Sequence, residues 1–427
     1  MRRLAAQYVL FVLLAGFFLM RESRQEPCVV VDDWFTDLLM SSTRSESPQV
    51  PLALIEIDDA SMGLDGGSGP DGTHAWPWPP LDYTLFLNAA MGLNAPVIAI
   101  EPVLAWETIG NESETKRMEH GQYLRFLQSA ILRVPRLLLG AELGFTEDPT
   151  APRQYQPVAT LRRVEGDHRF IPQFSIIERE AEETFRLSAA NGFTNLPAQR
   201  LVRKVPMLFR VQGDVAPSFV LQAAMQWLQL TPDDVEVKVG EYVELGGRLR
   251  IPIDREGFMR VDYRVPYERL GYGDLLLEVQ KIDGVAAKPG KDTKRLREKL
   301  TVLVRADAEA KTLKLSNGNQ GSRGQALAAG LATLLSGKFF TAPPWWSDFL
   351  IIGAVLMMCP WFLGWDRLGI WFFVVFLMLI YTLTALALFS VTQIALPLFL
   401  PAGLLIFAGL YASSIPSQPI YPRESGE

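Results

Sequence analysis

Charge falls along this chain in blocks, and that segregation limits what it can fold into more than any other feature. Residues 4–20, LAAQYVLFVLLAGFFLM, carry no charge, and residues 349–414 carry only Asp366 and Arg367. Apolar runs of this length match the hydrocarbon thickness of a bilayer and read as membrane spans. Between them, residues 24–342 are rich in charge, Gly and Pro and read as a folded, water-soluble domain. The hydrophobic content of 49% is ordinary in itself.

The first apolar run follows a basic start, Met1-Arg2-Arg3, and runs into Met20-Arg21-Glu22-Ser23-Arg24. No small-x-small cleavage site closes it, so an uncleaved anchor is expected over 4–20. The C-terminal block divides into three expected spans, about 349–365, 370–389 and 394–414, separated by WDRLG and SVTQ. Trp345 and Trp346 before the first of them suit a membrane interface. Pro397 and Pro401 fall inside the last, where neighbouring helices can satisfy the freed carbonyls. A short cytoplasmic tail, 415–427, follows. Arg2, Arg3, Arg367 and Arg423 agree with one orientation: both termini cytoplasmic and residues 24–342 outside. Ala402, Gly403 and Gly409 are small enough to let a partner membrane protein, or a second copy, approach closely.

Within the charged region, PLALIEI (51–57) is an apolar run ending in Asp58 and Asp59, the pattern of a buried parallel strand. A helix over 81–93, a strand over 96–104 carrying Glu101, a helix over 119–133 and a strand over 136–143 follow. Strand-helix-strand-helix-strand implies a parallel sheet with helices on its faces. Residues 145–290 hold short segments between turn residues and one clear helix, 218–230. Residues 248–264 alternate like two strands around Asp254-Arg255-Glu256-Gly257. A buried strand (300–306) and a helix bearing Leu327, Leu331, Leu334 and Leu335 close the domain. The expected fold is therefore an α/β parallel-sheet core with a β-rich insertion, plus one N-terminal and three C-terminal transmembrane helices. The charge run KPGKDTKRLREK, 288–299, reads as a solvated helix face.

Several function classes are excluded by motif. The three histidines, His74, His120 and His168, share no metal-ligand spacing. No GxSxG elbow, P-loop or GxGxxG turn occurs, and no cofactor, metal or catalytic residue is indicated. Cys28 and Cys359 offer no disulfide framework. The net charge of −6 leaves no basic stripe for nucleic acid. The residues after the last span are too few for a kinase, cyclase or phosphodiesterase, so no output enzyme is expected. Acids cluster at strand ends: Asp58, Asp59 and Glu101, with Asp65 and Asp71 in a loop. The carboxyl ends of an open parallel sheet face its ligand crevice. The same acids also suit helix caps and turn hydrogen bonds.

The run GTHAWPWPP (72–80) sits directly before the helix at 81. Pro79 and Pro80 fix φ near the helical value and start it. Trp76 and Trp78, held between prolines, are expected to pack over the sheet near Asp58 and Asp59, as structural cover or as the aromatic wall of a ligand pocket.

Taken as a set, PLALIEIDDASM, WPWPP, APVIAIEPVL, GFTNLP with LVRKVPMLF, APSFVLQAA and IPIDREGFMRVDYR resemble the CHASE2 family of extracytoplasmic sensor domains over residues 28–340. One anchor before the domain and three spans after it are the layout that resemblance implies. Pro80 stands where the family has Arg, Glu101 where it has Asp, and Arg305 where it has Gly. The resemblance implies a membrane-anchored protein that binds a small ligand or envelope component. It would pass a conformational bias through its spans to a membrane-protein partner or a homodimer mate. The coincidence of strand-end acids and rigid aromatics places that ligand at Asp58, Asp59, Trp76, Trp78 and Glu101. A structural or assembly subunit of an envelope complex, binding another protein, and a hydrolase acting at Asp58, Asp59 and Glu101 are the other readings.

Overall fold

The computed structural model describes residues 2–23, 26–43, 48–62, 76–106, 114–145, 160–197, 201–284, 295–341, 343, 346–362 and 366–414. Asp65, Asp71, His74, Arg44, Trp345 and the tail 415–427 lie outside the described residues. The chain forms two units, residues 47–339 and residues 1–46 with 340–427. In chain order the main helices are α1 (Arg2–Glu22), α2 (Glu26–Ser42), α3 (Pro80–Gly92), α4 (Glu114–Ile131), α5 (Phe219–Leu228), α6 (Tyr272–Gly284), α7 (Arg323–Ser336), α8 (Ser347–Phe362), α9 (Arg367–Thr392) and α10 (Phe399–Ser414).

The central sheet of the larger unit has strands β1 (Leu52–Ile57), β2 (Val97–Ile100), β3 (Leu137–Gly144), β4 (Ile176–Arg179), β5 (Ala190–Phe193), β6 (Glu268–Gly271) and β7 (Leu300–Arg305). The order is β6-β1-β7-β2-β3, with β4 and β5 both paired to β3. Every pairing is parallel except β3 with β4. The aliphatic runs seen in the sequence are buried on both faces, as parallel strands must be. Ala53, Ile55, Ile57 and Leu303 face one layer with α3, α4 and α6. Leu52, Leu54, Val302 and Val304 face the other, with α5 and α7.

Strands and helices expected over 51–57, 81–93, 119–133, 136–143, 218–230 and 300–306 are found within a few residues of those bounds. The parallel α/β core is thus as expected, and the differences lie in the insertion. Its segments β5 and β6 pair into the main sheet, β6 at one edge and β5 on β3, so the insertion completes the core rather than decorating it. The two strands around Asp254 do not pair with each other. Leu249–Pro252 pairs with Tyr242–Leu245, and Phe258–Arg260 pairs with Lys204–Pro206. Alternation marks a strand but not its partner. Of the charge run, 288–294 lies outside the described residues, and 295–299 is a turn, not a helix face. Leu296 is fully buried there, and Arg295 and Lys299 both pair with Glu268.

The smaller unit is helical, with α1, α8, α9 and α10 around a common core. Tyr8 Oη donates to the Ala408 carbonyl at 3.1 Å, and Tyr8 stacks on Tyr411. Among the described residues one helix, α9, is long and apolar enough to cross a membrane; Ser347–Met358 and α10 are shorter apolar helices. Pro397 lies ahead of α10 and Pro401 in its first turn, where a missing N–H costs nothing. Gly403 and Gly409 are occupied within the chain. A Cβ at Gly403 would lie 3.1 Å from Leu19, and one at Gly409 3.0 Å from Val374. The small residues therefore serve helix packing inside this unit, which their sequence could not distinguish from a partner contact.

Candidate functional site

Helices α3 and α4 follow β1 and β2 and pack on one face of the sheet, while α7 follows β7 and packs on the other. The connections therefore diverge where β7 lies between β1 and β2. In open parallel sheets this is the switch point, and the crevice outside the strands' carboxyl ends is the ligand position.

Three strand-end carboxylates converge on the first turn of α7. Ser322 caps that helix, accepting from Gln325 N at 3.3 Å, while Gln325 Oε1 accepts from Ser322 N at 2.9 Å. The reciprocal pair satisfies two donors the helix cannot use. Gln325 Nε2 donates to Glu56 Oε1 at 2.7 Å, reaching β1. Arg323 Nε donates to Glu101 Oε1, just past β2, at 2.6 Å. Its Nη1 donates to Glu142 Oε1 on β3, whose other oxygen meets Arg179 at 3.3 Å. Burial opposes the charge on Arg323, but Glu101 and Glu142 outweigh it and raise its pKa. A helix N-terminus also favours carboxylates around it. Gly324 permits the approach: a Cβ there would sit 2.5 Å from Val304 Cβ and 3.2 Å from Glu101 Oε2.

Beside this network stands an aromatic group. Trp78 is buried, with its ring edge-on to Tyr83 at 5.1 Å and to Tyr272 at 4.6 Å. Trp106 Nε1 donates to the Trp78 carbonyl at 2.9 Å, and Trp106 lies 5.9 Å from Tyr83. The indole N–H of Trp78 has no hydrogen-bond partner among the described residues. Burial, and next the charge of Glu101, push the Tyr83 phenol far above its ordinary pKa, so it is a neutral hydroxyl. Trp76 is half-buried, and the Arg305 guanidinium lies over its ring at 4.0 Å. Arg305 is itself held by Asp307, with Nη2 to Oδ2 at 2.8 Å.

The five residues expected at the site divide by role. Asp58 caps the turn Asp59–Met62, accepting from Ser61 N at 2.8 Å and from the Ser61 hydroxyl. Asp59 accepts from Ala308 N at 2.8 Å and holds the loop after β7. These two do the capping and turn work that short acids favour. Trp78 is core. Glu101 and Trp76 lie at the switch point, one bonded to Arg323 and the other under Arg305. Sequence reasoning missed Arg323, Glu142, Glu56, Gln325 and the partners Tyr83, Trp106 and Tyr272. One signal was available: Ser322-Arg323-Gly324-Gln325 has capping-box spacing. Among the described residues no group of His, Cys, Asp and Glu is arranged to hold a metal ion.

A sequence profile of the CHASE2 domain matches residues 9–360. No curated protein and no solved structure matches the chain.

Proposed function

This chain belongs to the CHASE2 domain family, an extracytoplasmic sensor domain, and from that membership we propose that it is a membrane-anchored sensory protein acting by binding, not catalysis. Residues 47–339 form the sensor outside the cell, and α1, α8, α9 and α10 cross the membrane with both termini inside. The ligand, a small molecule or envelope component, binds at the crevice where β1, β7 and β2 end. Bound ligand shifts the balance between two arrangements, by its differential affinity for them. A membrane-protein partner or a second copy receives that shift.

The observation that carries this reading is the coupling at the switch point. One helix, α7, is tied by Arg323 and Gln325 to the ends of β1, β2 and β3 at once. A ligand that competes for Glu101 would therefore act on a helix, not on a side chain alone. The neutralisation of Glu101 and Glu142 within the chain favours a second reading, a structural or assembly subunit whose domain binds a protein. Thermal-shift screening of purified chain against small envelope-derived compounds separates them. A ligand at the ends of β1, β7 and β2 should stabilise the wild type and lose that effect in Trp76→Ala, while Asp58→Asn, which touches only the turn after β1, should leave it in place. At a concentration of 100 Kd the stabilisation is about 2.7 kcal/mol. Undiminished binding in Trp76→Ala would place the ligand elsewhere.

A further inference from the structure

We propose that α2 is an interfacial helix, and that its outer face seats in the headgroup boundary of the lipid bilayer. This rests on the reading of the helical unit as the membrane-embedded part.

The sequence of α2, EPCVVVDDWFTDLLMSS, is too apolar for one buried stripe. Phe35, Leu39, Met40 and Cys28 form its inner side, all less than 9% exposed. Val30, Trp34 and Leu38, spaced i, i+4 and i+8, remain 57%, 56% and 42% exposed, with Val31 beside them. These four lie on a single helix face. A water-facing helix would carry polar residues there.

Hydrogen bonds fix where along the bundle this stripe lies. Asp32 Oδ1, on the inner side, accepts from Leu398 N at 2.7 Å and Phe399 N at 2.8 Å, so α2 is pinned to the first residues of α10. The chain enters α2 four residues after α1 ends at Glu22. Ile394, just beyond the end of α9, bridges to Thr341 shortly before α8. The stripe therefore stands at the end of the bundle where α1 and α9 finish and α8 and α10 begin. If those helices cross the bilayer, this is the level of its outer surface.

Two further features choose lipid as the occupant. Helix α1, directly before α2 in the chain, also presents exposed apolar side chains in its second half: Leu14, Phe17 and Phe18 are 61%, 55% and 59% exposed. Trp34 is the residue type that prefers the headgroup level. Asp33 and Asp37 border the stripe along one edge. Burying the stripe against a second copy would take these acids out of water at its edge, which disfavours a second copy. The same acids mean that seating is apolar in origin and does not need anionic lipid.

The test uses the full chain in liposomes of phosphatidylethanolamine and phosphatidylglycerol, with Cys28→Ser and Cys359→Ala as background. An NBD fluorophore is placed at Val30→Cys, Leu38→Cys or, as a deep reference, Leu379→Cys in α9. Quenching is measured with lipids spin-labelled near the headgroup or deep in the chain, and with iodide in water. The Val30 and Leu38 labels should be quenched at least about twofold more by the shallow lipid than by the deep one, the depth expected of interfacial helices. They should resist iodide, and removing phosphatidylglycerol should change nothing. Iodide quenching of Val30 and Leu38 while Leu379 stays deep would overturn the proposal alone. So would protection from both quenchers with Val30→Cys crosslinking between copies. Iodide access to Leu379 would overturn the membrane reading itself.

Discussion

Arg323 and Glu101, 222 residues apart in sequence, meet at 2.6 Å between the start of α7 and the end of β2. The Glu101 side chain is 3% exposed and that of Arg323 34%. Removing one partner of a buried pair strands the other's charge. Arg323→Met should cost about 3 kcal/mol, the low end of the range for such pairs because Arg323 is partly exposed. Glu101→Leu combined with Arg323→Met should recover part of that loss. Denaturant unfolding of the two variants checks both statements. With Glu101→Leu measured alone as well, a cost of the double change equal to the sum of the two single changes would mean the pair is not coupled.

Gly324→Ala sets two effects against each other. Alanine favours a helix over glycine by about 1 kcal/mol. The added Cβ would meet Val304 Cβ at 2.5 Å, on a strand that cannot yield. Overpacking of this kind costs about 1–3 kcal/mol. The variant should therefore be less stable than the parent. A raised midpoint in thermal unfolding would show that α7 has room to move off β7.

The two tryptophans of the Trp-Pro-Trp-Pro run should behave differently. Trp78 is 1% exposed and packed against Tyr83 and Tyr272, so Trp78→Ala should cost about 3–5 kcal/mol. Trp76→Ala loses the guanidinium of Arg305 above its ring, worth about 1 kcal/mol at such a site. Trp76 is thus the change that tests ligand binding without unfolding the domain. Similar losses of stability in both would contradict the division of roles.

Acid stability should report on Glu268. Burial works against its charge, but Lys299 and Arg295 outweigh it and hold its pKa below the ordinary value. A depressed carboxylate stabilises the fold above its unfolded pKa, about 4.3. That contribution is lost as the pH falls through the lower, folded value. Glu268→Gln should therefore flatten the acid limb of the stability curve below about pH 5 and leave a constant deficit above it. An unchanged acid limb would remove Glu268 from the account.

The core was legible where burial on both faces writes itself as an aliphatic run, as in Leu52–Ile57, Val97–Ile100 and Leu300–Arg305. Pro79 and Pro80 announced the start of α3 because their φ is fixed by covalent geometry. Pairing partners were not legible. Nothing local in Phe258–Arg260 says that it joins Lys204–Pro206, because the partner is chosen by tertiary packing. The same limit hid the Arg323 network. Glu101 could be seen at a strand end, but its partner lies in a distant helix turn whose arginine looks solvated in sequence. Asp58 and Asp59 were visible as acids, and only the short turn and the loop after β7 show them occupied by backbone and hydroxyl donors.

The central claim is that residues 47–339 face the outside of the cell. Cys28 is a poor probe of this, being 8% exposed with its thiol pKa raised by burial. Arg248 is exposed in a turn of the larger unit, and Arg367 opens α9. With Cys28→Ser and Cys359→Ala as background, Arg248→Cys and Arg367→Cys are each treated with an impermeant maleimide on intact spheroplasts and after permeabilisation. The account requires Arg248→Cys to label fully in intact spheroplasts and Arg367→Cys to label only after permeabilisation. The reverse pattern would put the domain in the cytoplasm and end the sensor reading.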